Sequence, residues 1–142
     1  MDKIRILITD DHPVVREGLS GMLAGQSDFE VIGLAADGDT AVKMHASLAP
    51  DVTLMDLRMP GLDGVGAIKA IKARQSSSRI IVLTTYDSDA DILPAIEAGA
   101  TGYLLKDAPR EDLFRAIRAA ARGDSVLAPA VAARLMTRMR AP

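Results

Sequence analysis

Four stretches of the chain end in side chains that could act together. Residues 6–13 read ILITDDHP, an apolar run that delivers Asp10 and Asp11 side by side. VTLMD ends in Asp56, IIVLT in Thr84 and GYLLK in Lys106. Two carboxylates ~4 Å apart repel by about 4 kcal/mol where the effective dielectric constant is ~20, so the Asp pair needs a counter-charge. Three clustered carboxylates offering only oxygen donors suit a hard divalent cation, Mg2+ above all. A carboxylate can also act as a nucleophile and accept a phosphoryl group as an aspartyl phosphate. That transfer needs in-line positioning and charge compensation more than covalent machinery. The cation and the Lys106 ammonium would compensate the charge, and the Thr84 hydroxyl could bind a phosphoryl oxygen.

Each residue taken singly has a simpler reading. An Asp-Asp pair is often a solvated turn and helix cap. Asp56 could be a turn acid before the tight Met59-Pro60-Gly61 loop. Thr84 could be a satisfied loop hydroxyl, and Lys106 an ordinary surface lysine. Their placement at successive strand ends carries the inference.

Five β-rich runs, at 4–9, 29–35, 51–55, 79–84 and 102–105, are near-continuously apolar, as strands buried on both faces of a parallel sheet must be. Helical spacing lies between them. Val15, Leu19 and Met22 follow Pro13, which suits a first turn. Ala41, Met44 and Leu48 mark a second helix ended by Pro50, and Val65, Ile68 and Ile71 a third. Leu113, Ile117 and Ala120 mark the fifth, with Gly123 placed to stop it. The fourth contains Pro94, so it is expected to start near Ile92 behind an Asp91 cap, or to kink there. Strict β/α alternation implies right-handed crossovers and a three-layer α/β/α sandwich. In such a sheet ligands bind beyond the carboxyl ends of the strands, where Asp10, Asp11, Asp56, Thr84 and Lys106 would gather.

The 142 residues suit one domain with a real core. With 49% hydrophobic and 25% charged residues the chain reads as globular, and a net charge of −2 argues against a nucleic-acid surface spread over it. The absence of cysteine excludes disulfides and thiolate metal sites. No apolar run approaches the ~20 residues of a membrane span, and MDKIRILITD lacks a signal-peptide pattern, so no membrane association and a cytoplasmic location are expected. Residues 124–142 form a basic tail, with Arg134, Arg138 and Arg140 and no acid after Asp124. Val131, Leu135 and Met139 allow a short amphipathic helix there. His12 and His45 lack metal-ligand spacing and read as structural or surface residues.

Over residues 3–123 this pattern resembles the receiver domain of bacterial two-component response regulators. DDHPVVREGL, MDLRMPGLDG, LTTYDSD and GATGYLLKDA are similar to its NarL/LuxR-type (NarL/FixJ) subfamily. The resemblance implies a flavodoxin-like five-stranded parallel sheet of order 2-1-3-4-5. It implies Asp56 as phosphoacceptor, with Asp11, Asp56 and the backbone carbonyl of Arg58 on Mg2+ and Asp10 acting mostly through water. Lys106 would bind the phosphoryl group. Thr84 and Tyr103 would form a switch pair, Thr84 moving to the phosphoryl oxygens and Tyr103 rotating inward.

The partners so implied are a sensor histidine kinase and a second copy on phosphorylation. DNA would be reached only through a helix-turn-helix domain absent from these residues. Such a protein catalyses only its own aspartyl phosphorylation and dephosphorylation. A stand-alone or phosphorylation-independent receiver working by association is the alternative. A Mg2+-dependent aspartate-nucleophile phosphohydrolase would want an acid where Arg58 stands, and a flavin or nucleotide module a glycine-rich loop after the first strand. Two residues depart from the family's habit. Thr85 is bulkier than the usual alanine, and Asp107 replaces the proline that often follows the lysine, so no cis peptide is expected there.

Overall fold

In the computed structural model residues 2–86 and 88–140 are described. Asp87, and the last two residues of the expected tail, lie outside that range. Strands and helices alternate along the chain: β1 (Ile4–Thr9), α1 (Pro13–Ala24), β2 (Phe29–Ala35), α2 (Gly38–Leu48), β3 (Val52–Met55), α3 (Gly64–Arg74), β4 (Ile80–Thr84), α4 (Asp89–Ala98), β5 (Gly102–Leu105), α5 (Arg110–Ala121), β6 (Val126–Leu127) and α6 (Pro129–Arg140). All pairings are parallel, in the order β2-β1-β3-β4-β5-β6. Strand order reverses between β1 and β3, so the crevice rule puts a ligand beside their carboxyl ends.

Both faces of the sheet are buried, and alternate residues of a strand enter different cores. Ile6 and Ile8 pack with Leu54, Phe29, Leu113, Phe114 and Ile117, under α1 and α5. Leu7 and Met55 pack with Ala41, Ile68, Ile92, Tyr103 and Val131, under α2, α3, α4 and α6. The near-continuous apolar strands follow directly from this two-sided burial.

Two elements differ from expectation. The sheet has six strands rather than five. The sixth is two residues long, too short to leave a strand signal, yet its flanks are tied to β5 by Val126 N–H to the Thr101 carbonyl (3.3 Å) and Ala128 N–H to that of Tyr103 (3.2 Å). And α4 begins at Asp89, three residues ahead of the expected start. The Ser88 carbonyl already accepts from Asp91 and Ile92, and Asp89 and Asp91 put negative charge on the positive end of the helix. Pro94 therefore lies inside α4 and denies the Ala90 carbonyl its intrahelical donor; Ala90 is exposed, so water can take that place. The Lys106–Asp107 peptide is trans, as expected.

Candidate functional site

The strand ends are held at one level by backbone bonds that run one residue past each strand. Asp10 N–H donates to Ala35 (3.0 Å), Asp56 N–H to Thr9 (3.1 Å) and Lys106 N–H to Thr84 (2.9 Å). The start of α3 closes tightly on the same spot. Gly64 donates to the Leu57 carbonyl at 2.8 Å, and a Cβ at 64 would collide with the Asp56 carbonyl, so a side chain there would push α3 off the strand end. Asp63 caps α3 by accepting from Gly66 N–H at 2.8 Å. The glycines of GLDGVG thus shape a loop and a helix start, as their sequence suggests.

Asp10 and Asp56 are buried, at 1% and 4% exposure, and Lys106 is the cation between them. Its Nζ lies 2.6 Å from Asp10 Oδ2 and 3.1 Å from Asp56 Oδ2. Leu57 N–H donates to Asp56 Oδ1 at 2.8 Å, and His12 N–H to Asp10 Oδ1 at 2.9 Å. Burial raises the Asp56 carboxyl above the ordinary carboxylate range; Lys106 pulls the other way, and the Asp10 charge adds to the rise. Burial also works against the Lys106 ammonium, yet its bonds to Asp10 and Asp56 outweigh that and hold it above its ordinary value. The two shifts agree once the stoichiometry is counted. One amine gains from two carboxylates, while Asp56 shares that amine with Asp10, so negative charge remains uncompensated.

That excess is what a cation would answer. Carboxylate oxygens of Asp10, Asp11 and Asp56 and a ring nitrogen of His12 lie within 4.8 Å of one another. Asp11 Oδ1 is shielded from solvent and accepts no hydrogen bond, although His12 Nδ1 stands 3.1 Å away. A buried oxygen without a donor, beside two more carboxylates, fits a hard divalent ion.

Thr84 and Tyr103 are both wholly buried. Thr84 Oγ1 accepts from Tyr86 N–H at 3.4 Å, and the Tyr103 hydroxyl donates to the Tyr86 carbonyl at 2.5 Å. Tyr103 therefore already lies inward here, whereas the expectation has it rotate inward on phosphorylation. The Arg58 side chain turns away from the carboxylates, to Asp91 on α4 and the face of Tyr86.

Sequence reasoning brings Asp10, Asp11, Asp56 and Lys106 to one point, and the structure does the same. Two further residues stand beside this group. His12, with 67% of its side chain exposed, stands 3.3 Å from Asp10 and 3.1 Å from Asp11; its position directly after the Asp pair is the only signal. Tyr86 meets Thr84 and Tyr103 through its amide and carbonyl, contacts that leave no signal in residue type. His45 is the buried structural histidine its sequence context suggests.

Residues 6–118 match the family described as the response regulator receiver domain. Among curated proteins, the transcriptional regulatory protein LiaR of Bacillus subtilis (strain 168) is 47% identical over 137 residues, 96% of this chain and 65% of LiaR. The nitrate/nitrite response regulator protein NarL of Escherichia coli (strain K12) is 38% identical over 136 residues, 96% of this chain and 63% of NarL. The chain thus spans under two thirds of the length of these relatives. Of solved structures, a LuxR-family two-component response regulator from Aurantimonas sp. SI85-9A1 superposes with a TM-score of 0.91 at 33% identity, covering 97% of this chain and 99% of that one. The response regulator ChrA of a heme-sensing two-component system gives 0.80 at 44% identity, covering 100% and 68%.

Proposed function

Because the chain belongs to the response regulator receiver domain family, we propose that it is a phosphorylation-controlled switch in which Asp56 accepts a phosphoryl group from a sensor histidine kinase. The observation that carries this reading is the state of the Asp56 carboxylate. It is 4% exposed, held by Leu57 N–H on one oxygen and Lys106 on the other, with the Asp10 and Asp11 carboxylates beside it.

An Asp56 oxygen attacks the phosphorus of a phosphohistidine. The new P–O bond forms as the P–N bond breaks, and the leaving imidazole takes its proton from solvent. Lys106 Nζ, already on Asp56 Oδ2, offsets the negative charge of the phosphoryl oxygens. Asp11, Asp56 and the Arg58 carbonyl would hold Mg2+ directly, with Asp10 reaching it through water. Bound there, Mg2+ supplies charge compensation that one lysine cannot give two or three carboxylates. Thr84 is the residue whose hydroxyl turns to the phosphoryl group, and Tyr103 reports the change at β5. Apart from this self-modification the domain is not an enzyme; Arg58, occupied with Asp91, stands where a phosphohydrolase would need an acid.

In the whole protein we place the receiver at 1–123 and a linker or tail at 124–142, whose β6 and α6 pack back onto the receiver. Association of two phosphorylated copies then controls an output, namely transcription through a DNA-binding segment outside these residues. LiaR, a curated relative longer than this chain and named as a transcriptional regulatory protein, supports that output.

The test is to incubate the protein with acetyl phosphate and Mg2+, reduce it with borohydride, which converts an aspartyl phosphate to homoserine, and map the peptide. Homoserine at position 56 is expected. Homoserine at another acid, or none with Mg2+ present, would overturn the assignment.

A further inference from the structure

The Arg58 side chain joins the β3–α3 loop that carries the proposed acceptor to α4. Arg58 Nη2 donates to both carboxylate oxygens of Asp91, each at 3.1 Å. The same guanidinium lies 3.7 Å above the centre of the Tyr86 ring. Asp91 is fixed in turn by the Ser88 hydroxyl at 2.6 Å and is only 15% exposed at its side chain, against 58% for Arg58. Tyr86 is thus held on three sides. Arg58 covers its ring, the Thr84 hydroxyl accepts its amide proton, and its carbonyl accepts the Tyr103 hydroxyl.

We propose that Arg58 is a positioning residue that clamps the β4–α4 loop, fixing the Tyr86 carbonyl and through it the inward placement of Tyr103. The inference rests on the reading of Asp56 and Tyr103 as acceptor and switch, and adds a path between them that runs outside the Thr84 hydroxyl. Arg58 is two residues from Asp56 on one short loop. Any charge change that moves this loop changes the aim of the guanidinium, and with it the hold on Asp91 and Tyr86. Coupling of this kind is reciprocal: what stabilises the clamp also favours the loop geometry that comes with phosphorylation.

The chain has two tyrosines, so 3-fluorotyrosine labelling gives two fluorine resonances, assigned with Tyr86→Phe. The solvent-isotope shift of the Tyr103 resonance reads its outward population, in protein without any phosphoryl donor. Loss of one partly exposed ion pair and one cation–π contact should raise that population roughly fivefold in Arg58→Ala. Asp91→Ala should do much the same, and the double variant should add little to either. Arg58→Lys keeps the charge but not the planar stack, and should fall between Arg58→Ala and the wild type. An unmoved Tyr103 resonance in Arg58→Ala, or fully additive effects of the two single variants, would overturn the clamp. Intact mass after acetyl phosphate and Mg2+ is measured on the same samples. A wild type that takes no phosphoryl group refutes Asp56 as acceptor, while the fluorine result still decides the clamp.

Discussion

At the level of single residues, the site is a charge problem with a local solution. Asp10 and Asp56 are buried with one amine between them, which is enough to fold the domain and too little to neutralise it. Lys106→Met should therefore lower stability by about 3 kcal/mol, since two carboxylates would be left buried and unpaired. Urea denaturation with and without Mg2+ checks this: the cation should recover more stability in the variant than in the wild type, because it binds the folded state alone. Equal loss with and without Mg2+ would mean that the carboxylates do not hold the ion. Asp10, Asp56 and Lys106 were legible in the sequence because each is the first charged residue after an apolar strand, and Asp11 because it directly follows Asp10. The side-chain direction of Arg58 was not, since it depends on how the β3–α3 loop meets α4, and no local pattern encodes that.

At the level of elements, periodicity revealed what burial dictates and missed what neighbours dictate. Buried parallel strands must be apolar throughout, so β1 to β5 stood out, and Pro13 marked the first turn of α1. The start of α4 was misjudged because Pro94 was weighed as a breaker, while Ser88 and the first-turn acids were enough to start the helix earlier. Strand β6 is set by its bonds to β5 and by Val126 and Leu127 packing against the two cores. It leads into α6, whose Val131 is wholly buried in the cluster that includes Ile92 and Tyr103, while Met136 and Met139 stay exposed. The tail thus docks through a narrow apolar contact. Val131→Asp would bury an unpaired charge there and should release α6. Hydrogen exchange should then lose protection over 129–140 while β1 to β5 keep theirs. Loss of protection across the whole sheet would instead make α6 part of the central core.

At the level of the whole molecule, one sheet serves stability and function at different places. The middle of the sheet is sealed on both faces, and the charged work is confined to the carboxyl rim of β1, β3 and β5. No helix among the described residues is long and apolar enough to cross a membrane. Away from the rim, His45 ties global stability to pH. Burial, and to a lesser degree the charge of Arg74, hold its imidazole below the ordinary value of 6.5. In the unfolded chain the ring takes a proton as pH falls through that value, while the folded domain resists it. Stability is therefore full above that value and is lost as pH falls through it, the loss ending once the folded pKa is passed. Between about pH 7.5 and 5.5 the wild type should lose more stability than His45→Gln. Equal losses would place the titration elsewhere.

On the proposed reading, this chain stores a signal as phosphate on Asp56. Intact mass after incubation with acetyl phosphate and Mg2+, run beside Asp56→Asn, tests it most directly. The wild type should gain one phosphoryl group, dependent on Mg2+, and the variant none. A gain in Asp56→Asn equal to that of the wild type, or no gain in either at saturating Mg2+, would contradict it.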